Sequence, residues 1–374
     1  MRVAVVGGGI NGAGIAWELA RRDYDVTLFE KGRCGAQTSA KTTKLIHGGI
    51  RYLEGMHVAL VREALRDRAW LLAHLPQLVH PIEFILPVYG DSPRWRMTIR
   101  TGLRLYDALS GRANIAPHRE LTVEEITARA PITSERLRGG FSFWDAQTDD
   151  YAMARVVVAS AAKEGAAIRE GTRVTALVRD GERWIVRTDS EEDHFDVVVN
   201  AAGPWMNELL AANGIRSRYH LSLVRGSHIV LTRRVCEPAL LLQSISDRRV
   251  FFVTPWKETT LVGTTEVMQR DSLDQVRPSD GEIEYLLARF NHYFREPIGH
   301  HHIAASFAGV RPLVGRSANP SAIGREYRIE RRGNLINVFG GKMTTFLSLS
   351  RKVAMRVDNY AGRPRRAREP LFAI

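Results

Sequence analysis

Short apolar runs along this chain end again and again on small residues, and stripes of apolar positions at helical spacing lie between them. Arg2 to Val6 is a short, valine-rich run suited to a buried parallel strand. Ile10, Ile15, Trp17, Leu19 and Ala20 continue as a helix, and Asp25 to Phe29 gives a second strand. The same order of strand, small residues and helix start recurs twice. Phe195 to Val199 runs into Asn200-Ala201-Ala202-Gly203-Pro204-Trp205, and Leu335 to Phe339 runs into Gly340-Gly341-Lys342 with a helix from Met343 to Val357. Further helices are predicted over His57 to Leu75, Tyr151 to Lys163 and Glu282 to Phe294; the first sets Val58, Leu60, Val61, Ala64, Leu65, Ala69, Leu71 and Leu72 against Arg62, Arg66, Asp67 and Arg68. From Tyr219 to Thr265 strands follow in quick succession (Ser227 to Leu231, Val250 to Val253, Thr260 to Thr265), which predicts an antiparallel sheet. Ile303 to Pro312 is a strand that carries Arg311 back toward the first unit.

Gly7, Gly9 and Gly12 stand in G-x-G-x-x-G spacing between the first strand and its helix, and Glu30 closes the second strand. The glycines allow a tight turn, close approach of backbone to a pyrophosphate and close helix-to-strand packing. The helix start offers free N–H groups to phosphates, and Glu30 can accept from a ribose diol. This predicts a dinucleotide site, without choosing FAD or NAD. The fold class follows: α/β, with a discontinuous Rossmann-like unit from residues 1–80, 146–215 and 306–374, and an antiparallel-sheet α+β unit from residues 81–145 and 216–305. A chain of 374 residues is long for a single core, consistent with two units.

A formal net charge of +12 attracts anions, whether phosphorylated substrates, nucleic acid or an anionic membrane. No nucleic-acid-binding signature accompanies it, so nucleic acid is not an expected partner. Residues 93–109 interleave Arg94, Arg96, Arg100 and Arg104 with Trp95, Met97, Ile99, Leu103, Leu105 and Tyr106. An interfacial membrane anchor has this composition, and so does a helix packed on its own domain with a solvated basic face. Cys34 and Cys236 stand far apart, which argues against a disulfide framework and suits a reducing cytoplasm. His300, His301 and His302 are adjacent and cannot converge on one ion, so no metal is expected. The N-terminus lacks signal-peptide features, and no apolar run reaches the roughly 18 residues of a spanning helix. The expectation is a cytoplasmic protein, with peripheral contact on the membrane as an option. Arg363, Arg365, Arg366 and Arg368 read as a mobile basic end.

GGGINGAGIA, KLIHGGIRYLE, NAAGPW, GSHIVL, TPW with GTTE, GVRPL and VFGGKMTT, in this order, resemble the FAD-dependent glycerol-3-phosphate dehydrogenases of the D-amino-acid-oxidase-like flavoprotein superfamily. The resemblance covers nearly the whole chain. HGGIRYLE, GVRPL and FGGKMTT are its more restricted motifs. It implies FAD contacts at Gly7, Gly9, Asn11, Gly12, Glu30, Ser39, Lys44, His47, Gly48, Gly49, Val174, Gly203, Gly341 and Thr344, and a substrate pocket of Arg51, Tyr52, His228, Arg311 and Lys342. The implied reaction oxidises a secondary alcohol, sn-glycerol 3-phosphate to dihydroxyacetone phosphate, by hydride transfer to flavin N5. His228 would act as general base or alcohol orienter, Arg311 as phosphate ligand, and Lys342 as a cation beside the flavin; quinone or another acceptor would take the electrons. Rivals are another phosphorylated polyol such as erythritol phosphate, an amine or amino acid, or a flavin-binding subunit that depends on a partner chain. The family usually continues into a C-terminal helical domain, and this chain stops soon after the last cofactor helix; oligomeric state is left open.

Overall fold

The computed structural model describes residues 1–317, 319–362, 367–370, 372 and 373. The three strand-to-small-residue runs lie side by side in a six-stranded sheet, ordered Arg328–Arg332, Leu335–Phe339, Val197–Asn200, Arg2–Val6, Asp25–Phe29, Ala167–Arg169. All neighbours run parallel except the first pair. Alternation along Arg2–Val6 sorts its side chains between two layers. Val3 and Val5 pack with helices Ile10–Ala20, Asp150–Lys163 and Phe346–Tyr360, while Ala4 and Val6 pack under a three-stranded meander, Val174–Asp180, Arg183–Thr188 and Glu192–Phe195. Asp196 divides the predicted run of residues 195–199, so Phe195 ends the meander and Val197 begins the parallel strand.

A ten-stranded sheet forms the second layer. It is ordered Val267–Met268, Leu221–Leu231, Thr259–Gly263, Val250–Trp256, Ala239–Gln243, Val79–Tyr89, Leu137–Thr148, Leu45–Ile46, with Ile303–Val314 also paired to Leu221–Leu231; Arg119–Leu121 pairs with Leu137–Thr148. Its pairs are antiparallel apart from Ala239–Gln243 beside Val79–Tyr89. Phe84, Leu86 and Val88 face helices Val58–His74 and Arg96–Ser110, whereas Ile85 and Tyr89 join the core beneath helix Asp280–Tyr293.

Two expectations need correcting. Asp67 and Arg68 were assigned to the solvent face of the helix after His57, yet both are buried. Asp67 accepts from the Ser348 backbone N–H (2.9 Å) and hydroxyl (2.7 Å), and Arg68 donates to Asp145 Oδ1 (2.6 Å), so each is partnered across helices or sheet. The basic end is also tied down where it is described: the Arg368 N–H donates to the Arg21 carbonyl (2.9 Å), its guanidinium pairs with Glu164 (3.1 Å), and Phe372 packs on Trp17. Arg363, Arg365 and Arg366 lie outside the described residues. Both cysteine thiols are buried, and burial pushes each up to about 12, which keeps them protonated and unreactive.

Candidate active site

A cavity of about 540 Å³ opens along the carboxyl ends of the parallel strands. Each of the three strand-to-turn junctions contributes to its wall: Gly7 and Gly9, Ala201 to Trp205, and Gly340 to Thr344. This is where open α/β sheets bind ligands, because backbone N–H groups and helix starts point out of the sheet there. Two glycines make the approach possible. A Cβ on Gly12 would lie 1.8 Å from the Gly7 carbonyl oxygen, and one on Gly7, whose φ is +107°, would lie 2.5 Å from that of Ala201. Gly12 thus serves helix-to-strand packing and does not itself line the cavity.

Of the residues singled out from sequence, Gly7, Gly9, Asn11, Glu30, Ser39, His47, Tyr52, Val174, Gly203, Arg311, Gly341, Lys342 and Thr344 line the cavity. Gly12, Lys44, Gly48, Gly49, Arg51 and His228 stand behind the wall. Lys44 is committed to an ion pair with buried Asp150. The Gly48 N–H donates to Tyr106 Oη (2.9 Å) and Asp145 Oδ1 (3.0 Å). Gly49, at φ +78°, turns the chain into the short 3-10 helix Ile50–Leu53 that carries Arg51 and Tyr52. The Glu30 carboxylate accepts from the Gly8 N–H (2.8 Å) and the Gly32 N–H (2.9 Å), which fixes it at the cavity edge. Ser39 accepts from the Ile10 N–H (2.9 Å) at the helix start. Buried Asn11 Oδ1 finds no hydrogen-bond partner among the described residues, and the Lys342 ammonium has the Tyr52 ring beside it. Backbone held open by glycines, with an unsatisfied polar atom beside the Gly340–Lys342 turn, fits a bound dinucleotide cofactor.

Cations gather at one end. Arg311, Arg325 and Lys342 line the wall, and Lys342 Nζ lies 3.7 Å from the centre of the Tyr52 ring. Arg311 is braced by Thr264 Oγ1 (2.7 Å) and the Thr265 carbonyl (3.3 Å). Burial, with Arg325 adding to it, lowers the Arg311 guanidinium to about 10, still charged at neutral pH. Burial lowers Lys342 as well, and Arg325 adds to it against the pull of Tyr52. Burial alone would raise the Tyr52 phenol, but Lys342, Arg325 and Arg51 outweigh it and lower the group. The counter-charge is Glu266, a buried carboxylate that pairs with Arg325, accepts from Ser321 Oγ (2.6 Å) and lies 3.9 Å from Arg51. Neither Arg325 nor Glu266 was given a role from sequence: Glu266 closes the GTTE motif without a partner being evident, and Arg325 follows Gly324 in a stretch with no strand before it. His47 lines the cavity, and burial, reinforced by Lys342 and Arg68, drops its imidazole to about 4. His228 is buried outside the wall, with Nε2 3.0 Å from Thr43 Oγ1, and Thr43 does line the cavity.

The FAD dependent oxidoreductase family model matches residues 2–350. The chain is 37% identical over 370 residues to the D-erythritol 1-phosphate dehydrogenase of Brucella abortus, covering 95% of this chain and 73% of that protein. It is also 37% identical over 373 residues to the glycerol-3-phosphate dehydrogenase of Pseudomonas aeruginosa, covering 96% and 72%. In fold it resembles the glycerol-3-phosphate dehydrogenase of Bacillus halodurans, solved with FAD (TM-score 0.79, 22% identity, 98% of this chain and 66% of that one). The FAD-bound L-α-glycerophosphate oxidase of Mycoplasma pneumoniae is similar too (TM-score 0.78, 18% identity, 98% and 96%). With the family match spanning nearly all of its length and close relatives among polyol-phosphate dehydrogenases, the chain belongs to the FAD dependent oxidoreductase family.

Proposed function

We propose that the chain oxidises the secondary alcohol of sn-glycerol 3-phosphate to dihydroxyacetone phosphate. The observation that carries this reading is the charge imbalance at one end of the cavity: Arg311, Arg325, Lys342 and nearby Arg51 against the buried carboxylate of Glu266, since Glu326, which also lines the wall, is paired with His57 and Arg328. Buried cations in excess are costly until an anion joins them, and forked guanidinium groups match phosphate oxygens. An amine would bring another positive charge into the cluster. When bound, FAD supplies a two-electron acceptor for the C2 hydride, from which electrons go on to quinone or another acceptor. Gly7, Gly9, Asn11, Ser39, Val174, Gly203, Gly341 and Thr344 would hold it from the wall, Gly12, Lys44, Gly48 and Gly49 shaping the loops behind, with Glu30 on the ribose. Arg311 fixes the phosphate, Lys342 would stand as the cation beside the flavin at the edge of the substrate pocket, Arg51 and Tyr52 close the flank, and His228 takes the hydroxyl proton. In this division of labour residues 1–80, 146–215 and 306–374 would hold the cofactor and also supply Arg51, Tyr52, Arg311 and Lys342, while residues 81–145 and 216–305 contribute His228 to the substrate side.

Anaerobic titration of the flavin-loaded protein tests the reading. Bleaching of the visible spectrum by sn-glycerol 3-phosphate, but not by glycerol, is the expected result. The 37% identity to an erythritol 1-phosphate dehydrogenase favours a second reading in which the longer phosphorylated polyol reduces the flavin faster. Reduction by amino acids alone refutes both, and a flavin that no polyol phosphate reduces points to a subunit that needs a partner chain.

The same reading includes peripheral contact with an anionic membrane. Ile99, Leu103 and Tyr106 of helix Arg96–Ser110 are spent on the core, but Trp95 (81% exposed), Met97 (61%) and Met56 (76%) project from neighbouring turns joined by the Arg94–Glu54 ion pair. No helix among the described residues is long and apolar enough to cross a membrane. Pelleting with anionic vesicles in low salt, reversed in high salt, is expected, and Trp95→Ser with Met97→Ser should weaken it by about tenfold or more. Failure of the unaltered protein to pellet removes this surface from the account.

A further inference from the structure

We propose that Thr43 is a proton-relay residue: its hydroxyl joins the cavity to His228 Nε2 and passes the substrate's hydroxyl proton to that imidazole. The inference rests on the alcohol oxidation proposed above. His228 cannot collect the proton by contact, because it is 1% exposed and absent from the cavity wall. Its ring is fixed, stacked on Phe307 at 4.9 Å and seated over Gly263 on the adjacent strand, where a Cβ would lie 2.2 Å from the ring. The one polar atom that reaches Nε2 among the described residues is Thr43 Oγ1, at 3.0 Å, and Thr43 belongs to the cavity wall.

The loop holds Thr43 in that role. Asp150, fully buried at the start of helix Asp150–Lys163, accepts from the Thr42 N–H (2.9 Å) and hydroxyl (2.8 Å) and pairs with Lys44. Both flanking residues are thereby anchored to one carboxylate, and Thr43 Oγ1 is left to His228. Nδ1 of that imidazole is buried without a hydrogen-bond partner among the described residues. Burial, with Arg311 and Lys44 adding to it, keeps the ring neutral, so with the proton on Nδ1 a lone pair on Nε2 faces the hydroxyl.

The step balances as follows. The C2 hydroxyl proton moves to Thr43 Oγ as the Thr43 proton moves to Nε2, and the C2–O bond becomes a carbonyl. The electron pair of the C2–H bond leaves with the hydride, so the alcohol is oxidised and the flavin reduced. The imidazolium returns its proton to water by the reverse path once product has left. A phosphate dianion on Arg311 offsets the guanidinium that otherwise opposes the imidazolium, which ties proton transfer to the presence of a phosphorylated substrate.

Single-turnover flavin reduction by sn-glycerol 3-phosphate, followed in H2O and D2O, tests the relay. Thr43→Val should slow reduction by roughly a hundredfold and change the solvent isotope effect, with flavin content and substrate Kd unchanged. Thr43→Ser should restore the rate to within about threefold, and Thr43→Val combined with His228→Asn should be no slower than the slower single variant. Wild-type rate and isotope effect in Thr43→Val overturn the relay alone. Equal slowing in Thr43→Val and Thr43→Ser also overturns it, since that assigns the effect to the methyl group. An unaltered protein that no polyol phosphate reduces overturns the relay and the underlying reaction together.

Discussion

Arg311→Met should lower kcat/KM for sn-glycerol 3-phosphate by about a hundredfold or more, mostly through KM, while making the free protein slightly more stable. The guanidinium lines the cavity, is braced by Thr264 and Thr265, and shares its field with Arg325 and Arg51. Truncating one member of a buried, hydrogen-bonded charge pair costs roughly 2–5 kcal/mol of binding, which sets the fold-change. Stability responds with the other sign. Burial and a like charge lower the Arg311 guanidinium to about 10, so the free protein bears a penalty for holding it charged, and methionine relieves that penalty while keeping much of the volume. Steady-state kinetics with sn-glycerol 3-phosphate beside unphosphorylated glycerol, and a melting curve of the same sample, check both halves. Equal losses on the two substrates count against a phosphate role, and a large drop in Tm makes Arg311 a structural residue instead.

Asp145→Ala should destabilise the protein by roughly 3–5 kcal/mol, the range for removing one partner of a buried ion pair. Asp145 accepts from Arg68 Nη1 (2.6 Å), Tyr106 Oη (2.7 Å) and the Gly48 N–H (3.0 Å), so alanine leaves a fully buried guanidinium without its counter-charge and frees the turn beside His47. Urea unfolding of flavin-free protein gives the stability, and the absorbance ratio of purified protein gives flavin content. We expect both to fall, because one carboxylate holds helix Val58–His74, helix Arg96–Ser110 and the His47-Gly48-Gly49 turn against strand Leu137–Thr148. An unfolding midpoint within experimental error of the unaltered protein contradicts this.

The segments easiest to read from sequence were those whose neighbours along the chain determine their conformation. Arg2–Val6 and Leu335–Phe339 are apolar runs that stop on glycines, and both are parallel strands facing the cavity. Val79–Tyr89 and Leu137–Thr148, two long strands toward one end of the second sheet but paired on both sides, went unrecognised. The first carries Pro81 and Pro87, the second Gly139 and Gly140, and such residues ordinarily argue against a central strand. Their pairing partners lie far away along the chain, so only the sheet reveals them. Cavity-lining positions such as Gly7, Gly9 and Gly341 were legible because glycine spacing encodes close backbone approach. The cation cluster was legible only in part: Arg311 and Lys342 follow apolar strands, whereas Arg325, although it follows Gly324, is one of several arginines in a polar stretch with no strand before it.

The three strand-to-turn junctions, the acidic end of the second strand and the excess of positive charge follow from the residues alone, since each depends on neighbours in the chain or on composition. Which charges are buried together and which histidine reaches the cavity depends on how distant strands and helices pack. Asp67 and Arg68 leave the solvent face because Ser348 and Asp145, hundreds or tens of positions away, offer them partners. His228 is separated from the cavity by Thr43 for a similar reason: strand pairing and the Asp150 anchor, neither encoded locally, set the distance between a side chain and the space it serves.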